Sequence, residues 1–235
     1  MRLLVLFYFL FAIDLTGLSS VTTTNSLWFS DVSKITLNKK WSVHIDFGLR
    51  GNDWANRWSQ QLVRPGLIYK INEKWSISLG GAYFKHFSGT ELRSEYRGWE
   101  QAVFNTSFLR FVINQRVRIE QRLIQKYFEN KQSHEYAYTN RYRYQLLCVM
   151  PINNEKLIDH TLYVLLSDEI MVNSGKTIVY NTFDQNRLAI GIGYKWSDTF
   201  TISMSYIAIY NQKNKKSAID KFNVLSLSLV HNLEI

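Results

Sequence analysis

Charge and small apolar side chains alternate along the middle of this chain in a way that fixes where chemistry could happen. One phase of residues 112–127 reads Asn114, Arg116, Arg118, Glu120, Arg122, Lys126. The opposite phase, Gln115, Val117, Ile119, Gln121, Leu123, Gln125, carries no charge. The same habit recurs at Arg141 and Arg143, at Arg50 behind Asp46, at Arg64, at Glu169, and at Arg187 and Lys195, with Asp184 near a strand end. A guanidinium is a rigid fork of donors that pairs with a carboxylate through two parallel hydrogen bonds and tolerates partial burial. A set of such groups can therefore do one of two things. It can close into a packed Arg–carboxylate network, or its surplus cations can ring a constriction that favours anions.

Catalysis has weaker support. The five histidines are His44, His86, His134, His160 and His231, and none stands in a local motif with a serine. Glu100 with Glu120, or Asp168 with Glu169, could be drawn as acid–base pairs, but pairing with arginine is the simpler account. The sequence has no His/Cys cluster at zinc spacing, no glycine-rich phosphate cradle and no Gly-x-Ser-x-Gly. It implies no cofactor and no enzyme activity; an outer-membrane lipid hydrolase is the remote alternative. A lone cysteine, Cys148, shares the phase of Tyr142, Tyr144 and Leu146 and reads as an inert thiol facing lipid.

The elements that would hold these residues are strands. Eleven runs alternate with period two, over 26–37, 41–50, 59–71, 75–86, 99–108, 112–127, 137–152, 160–173, 184–196, 200–210 and 222–235. In 42–50, Val43, Ile45, Phe47 and Leu49 oppose Ser42, His44, Asp46, Gly48 and Arg50. Runs of about 9–11 residues or more suit a tilted membrane strand, whereas soluble strands are nearer 5–6. The segment 112–127 also fits helical spacing. As a strand it turns its charges inward, avoiding about 2–4 kcal/mol for each basic residue that would otherwise face lipid at the midplane.

Three turns repeat one phrase: LNKKWSVHIDFGL from Leu37, INEKWSISLGGAY from Ile71 and YKWSDTFTISMSY from Tyr194. Each sets a tryptophan at the edge of a tight polar turn, where indoles gather at a water–lipid boundary. Trp41, Trp75 and Trp196 are therefore expected at one, periplasmic, membrane interface. Tyr83, Tyr127, Tyr138, Phe183 and Tyr210 should form the opposite girdle. Short connections at 38–40, 72–74, 109–111, 153–159 and 197–199 alternate with longer polar ones at 51–58, 87–98, 128–136, 174–183 and 211–221. This predicts short periplasmic turns and longer external loops.

Met1-Arg2, the apolar run to Ile13 and the small residues around Gly17 and Ser19 read as a signal peptide over residues 1–20, leaving 21–235 as one domain. The net charge is +9. The secretory start argues against nucleic acid as the partner, and the arginine phases give those cations another place. With 15% aromatic residues and two prolines, the chain is rich in strand formers.

The chain resembles the outer-membrane β-barrel family catalogued as domain of unknown function 2490. The resemblance runs through Asn38-Lys39-Lys40-Trp41-Ser42, Val63-Arg64-Pro65-Gly66-Leu67, Trp99-Glu100-Gln101, Arg116 to Arg122, Arg141-Tyr142-Arg143-Tyr144, Asp168-Glu169 and Phe183 to Leu188. It implies an outer-membrane barrel without an assigned activity. One departure is the ending Asn232-Leu233-Glu234-Ile235, where such barrels commonly close on an aromatic residue.

The fold expected is an all-β, closed antiparallel transmembrane β-barrel of about 10–12 strands in the bacterial outer membrane. Its lumen would carry Arg50, Arg64, Arg116, Arg118, Glu120, Arg122, Arg141, Arg143, Glu169 and Arg187. Barrels of about eight strands are filled by side chains and open channels come nearer sixteen, so the expected lumen is mostly plugged. The alternative is a narrow anion-preferring channel or small-solute transporter, sensitive to Arg118 and Arg143. Expected partners are outer-membrane lipid and the barrel-insertion machinery. Residues 21–25, Val21-Thr22-Thr23-Thr24-Asn25, are too polar for a lipid-facing strand and are expected at the edge or inside the lumen.

Overall fold

The three repeated turns explain how the chain reverses. In the first, Asn38 Oδ1 accepts hydrogen bonds from the backbone N–H groups of Lys40 and Trp41 at 2.9 and 3.0 Å. In the second, Asn72 Oδ1 does the same for Lys74 and Trp75 at 2.9 Å each. An asparagine that satisfies the turn's own donors closes a four-residue connection without help from elsewhere. Strands on either side are then brought into antiparallel register.

The computed structural model describes residues 20–88, 91–128, 131–213 and 218–235; the expected signal segment lies almost wholly outside them. Eleven strands follow one another: β1 Ser20–Thr36, β2 Trp41–Asn52, β3 Arg57–Lys70, β4 Trp75–Ser88, β5 Glu91–Phe108, β6 Phe111–Phe128, β7 Lys131–Pro151, β8 Thr161–Ser174, β9 Phe183–Lys195, β10 Phe200–Gln212 and β11 Ala218–Glu234. Each pairs with its sequence neighbour, and β1 pairs with β11 to close the sheet into a barrel. No helix among the described residues is long and apolar enough to cross a membrane, which has no bearing on strands.

The closure corrects one expectation. Hairpins reverse direction at every step, so an odd number of strands leaves the first and last running the same way. β1 and β11 are accordingly parallel, in unbroken register from Ser20↔Ala218 to Thr36↔Glu234. The barrel is mixed, not wholly antiparallel. The polar residues 21–25 belong to this seam as strand, in line with Ile219 to Asn223.

Loop lengths give a second correction. The connections 53–56, 89–90, 129–130, 175–182 and 213–217 at one rim are, taken together, no longer than 37–40, 71–74, 109–110, 152–160 and 196–199 at the other. Segments 87–98 and 128–136, read as loops, are largely the upper ends of long strands. The hairpins β4–β5 and β6–β7 continue their pairing to Ser88↔Glu91 and Phe128↔Lys131. Both phases are polar there, so alternation fades although the backbone ladder does not. Segment 112–127 is strand throughout.

The barrel is polarised inside out. Phe47, Ile77, Leu79, Val117, Ile190 and Met204 all face outward and are exposed, Leu79 and Ile190 by 61%. Glu95, Glu120, Arg118, Arg143 and Glu169 lie inside, each at most 7% exposed. Trp41, Trp75 and Trp196 sit on one rim, at the turns 37–40, 71–74 and 196–199. Trp41 packs on Tyr69 and Trp75 on Phe104 at ring distances of 4.8 and 4.7 Å. Toward the other rim Tyr83, Tyr96 and Tyr136 pack in succession at 5.2 and 6.0 Å.

Candidate functional site: a basic lumen

The inward phases of β2 to β9 bring all ten residues of the sequence-derived charge network into one connected interior. Glu120 and Glu169 are its hubs. Arg143 donates to both, with Nη1 to Glu120 at 2.7 Å and Nε and Nη2 to Glu169 at 3.0 and 2.9 Å. Arg116 reaches Glu169 at 2.7 Å, and Arg187 approaches the same carboxylate at 4.0 Å. Arg118 lies 3.7 Å from Glu120 and donates twice to Gln101 Oε1. Arg64 pairs with Asp46, and Arg141 with Asp184 at 2.6 Å. Arg50 donates to Gln60 at 2.6 Å. Arg122 donates to Glu95 at 2.6 Å.

Glu95 and Arg97 belong to the network although sequence reading placed them in a loop. Glu95 also accepts from Arg97 at 2.8 Å, and Arg97 bridges on to Glu120 at 3.1 Å. His86 joins them, 2.8 Å from Glu95 and 2.9 Å from Gln60. The missed signal was a single continuous phase, Glu95, Arg97, Trp99, Gln101, that carries the lumen pattern of β5 up to its rim.

Trp99 is the second missed residue. It is 2% exposed, points inward, and donates its indole N–H to the Gly81 carbonyl at 3.0 Å. It has room because Gly66 and Gly80 have no side chain there. A Cβ at either would lie 2.5 Å from the Trp99 ring. Arg118 stacks 4.7 Å from this ring, and Arg97 stacks 3.7 Å from Phe84. Leu62, Ala82, Phe84 and Trp99 form a small apolar cluster inside the barrel. Gly66 and Trp99, far apart in sequence, are thus two halves of one plug.

The opposite wall is different. β9, β10, β11 and β1 present Gly191, Ser203, Ser205, Ser226, Ser228 and Ser30 to the lumen, all only half-buried. Ser30 and Ser228 hydrogen-bond across the parallel seam at 3.0 Å. Gly193 is taken up by the ring of Tyr163, which a Cβ there would overlap.

The proposed acid–base pairs do not form. Glu100 is opposite Ile119 on the outer face, bonded to Gln121 at 3.0 Å, while Glu120 is inside. Asp168 likewise points outward to Asn186 at 2.6 Å, and Glu169 points inward. Three more histidines have partners other than serine: His160 meets Tyr194 at 3.3 Å, His231 meets Asp31 at 3.6 Å, and His44 stacks 5.3 Å from Trp99. Among the described residues no three His, Cys, Asp or Glu side chains gather as a metal site. Cys148 pairs with Ile113 and Leu166 on the outward face.

Above the Trp99 plug a cavity of about 510 Å³ opens among Trp28, Arg50, Gln60, Arg116, Arg187 and Glu169. A separate cavity lies at the rim of the 37–40 and 71–74 turns, lined by Lys34, Ser42, Asn105 and the turn residues. Between the two stand Trp99, Arg118, Asp46 and Ser78, each at most 8% exposed. No curated protein matches this sequence. Residues 25–220 match the family described as "Protein of unknown function (DUF2490)", and the chain belongs to that family.

Proposed function

We propose that this chain is an integral outer-membrane β-barrel, delivered by an N-terminal signal peptide, without catalytic activity and with a basic, mostly plugged lumen. Its role is structural or partner-binding within the envelope. The observation that carries this reading is the inside-out polarity: exposed Leu, Ile, Val and Phe side chains ring the outside, and the arginines with their Glu95, Glu120 and Glu169 partners are within, while Glu100 and Asp168 face out. In water such an outer face would be a large exposed apolar surface, which marks a membrane or partner contact. In lipid it is the solvated face, and the closed ladder satisfies the backbone groups that hydrocarbon cannot.

The orientation follows from the tryptophans, with Trp41, Trp75 and Trp196 at the periplasmic boundary. The partners are outer-membrane lipid and the insertion machinery, together with other envelope proteins; no nucleic acid is involved. Separation of bacterial membranes after expression tests the assignment. The chain is expected in the outer-membrane fraction, shortened at its N-terminus; recovery in the soluble fraction contradicts it.

A second reading, a narrow anion-preferring channel, is favoured by the small side chains along β9–β11 and β1. Basic residues beside a narrow water path would favour anions. Planar-bilayer recording separates the two: the plugged barrel gives no steady conductance, the channel a small anion-selective one.

A further inference from the structure

Among the described residues the lumen between its rims holds nine guanidiniums, Arg50, Arg64, Arg97, Arg116, Arg118, Arg122, Arg141, Arg143 and Arg187, against five carboxylates, Asp46, Glu95, Glu120, Glu169 and Asp184. The excess is not spread evenly. Arg143, Arg122 and Arg97 are well paired. Arg50 has no carboxylate within 4.0 Å among the described residues; it rests on Gln60 and on the Trp28 ring, 3.9 Å from its centroid. Arg187 lies 5.3 Å from the same ring, and its nearest acid, Glu169, is already bonded by Arg143 and Arg116. Two incompletely neutralised guanidiniums therefore share one indole at the wall of the 510 Å³ cavity, with Arg116 beside them.

Like charges held this close in a partly enclosed space repel each other, and screening by salt is weak there. The fold nevertheless fixes them, through Trp28, Gln60 and the Arg187 Nε–Gln185 hydrogen bond at 2.6 Å. Preset forks around a void of small-molecule size are what an oxyanion needs. We propose that the upper lumenal cavity, within the barrel reading above, is a binding site for a small phosphate-bearing anion held by Arg50, Arg187 and Arg116. The phosphate belongs either to a water-soluble ester or to a lipid headgroup. Both present the same oxygens to the same forks.

The test is calorimetric titration of the full mature chain, folded in detergent, with pyrophosphate in one arm and a short-chain phosphatidic acid in the other. Saturable one-site binding of pyrophosphate supports a soluble ligand, and binding of the phosphatidic acid alone supports a headgroup. Loss of a charge-assisted contact in Arg50→Gln or Arg187→Gln should weaken either by about tenfold or more. Arg50→Lys, which keeps charge but loses the fork, should fall between. Lys40→Gln, in a turn at the far rim, should bind as the parent does. Pyrophosphate should also raise the melting temperature of the parent. Without ligand, Arg50→Gln should melt no lower than the parent, since it removes an uncompensated cation. The β-sheet spectrum and the heat-dependent shift in gel mobility report separately on the barrel. A folded barrel with no saturable binding in either arm overturns the site, as does parent-like affinity in both Gln variants.

Discussion

The two walls of this lumen solve the same filling problem in opposite ways. From β2 to β8 the interior is built of large side chains that lock together: Trp99 seated over Gly66 and Gly80, and arginines shared between Glu95, Glu120 and Glu169. From β9 through the parallel seam to β1 the middle of the wall is glycine, alanine and serine, and the larger Trp28, Arg187, Ile209 and Val224 stand above it. A barrel of this size is too wide for every strand to send a large residue to the centre and too narrow for all to be small without leaving a channel. Concentrating bulk on one side leaves the other free to close on itself by main-chain pairing. The contrast predicts where stability resides.

The largest effect should come from the hub. Glu169→Gln strips the shared partner from Arg143, Arg116 and Arg187, and an ion pair broken in a buried site costs about 3–5 kcal/mol. Unfolding by urea in detergent, followed by loss of the heat-shifted gel band, measures it. Gly80→Ala comes next, because a Cβ there lies 2.5 Å from Trp99 Cζ2 and closer still to the Pro65 carbonyl. Overpacking of this kind costs about 1–3 kcal/mol. On the other wall, Ser228→Ala removes only the bond to Ser30, about 0.5–1.5 kcal/mol. Equal losses at Glu169 and Ser228 would break the contrast between the walls.

The smallest effect lies outside both walls, at the turn 196–199. There a hydrogen bond from Lys195 at 2.5 Å holds the Asp198 carboxyl below its ordinary range. A depressed carboxylate adds stability above its unfolded pKa and loses it as pH falls through the folded one. The pair is exposed and screened. Asp198→Asn should therefore shift the melting temperature little at neutral pH, and the difference from the parent should vanish in acid.

How much of this was legible depended on local pattern. In β2, β6 and β9 one phase is charged or small and the other largely uncharged, so face assignment followed from the cost of placing charge in lipid. That is why Arg116, Arg118, Glu120 and Arg187 could be placed inside from sequence. In β5 the pattern is inverted at one step, with Trp99 inward and Glu100 outward, and above it both phases are polar. Glu95, Arg97 and the plug were lost for that reason. The fit of Trp99 to Gly66 and Gly80 is a three-strand contact that no single strand encodes. The parallel seam was implied by the odd count of eleven runs, but the polar residues 21–25 concealed that the first strand extends along the whole of the last.

One pair of probes tests the inside-out barrel most directly. In a Cys148→Ser background, Ile190→Cys and Ser205→Cys place a thiol at mid-height on β9 facing outward and on β10 facing the lumen. Each is labelled with a small fluorophore and reconstituted into vesicles. The account predicts that nitroxide-bearing lipid quenches the label at 190 while aqueous iodide does not, and that the label at 205 shows no lipid quenching. Quenching of the label at 190 by iodide, with none by the lipid probe, would contradict it.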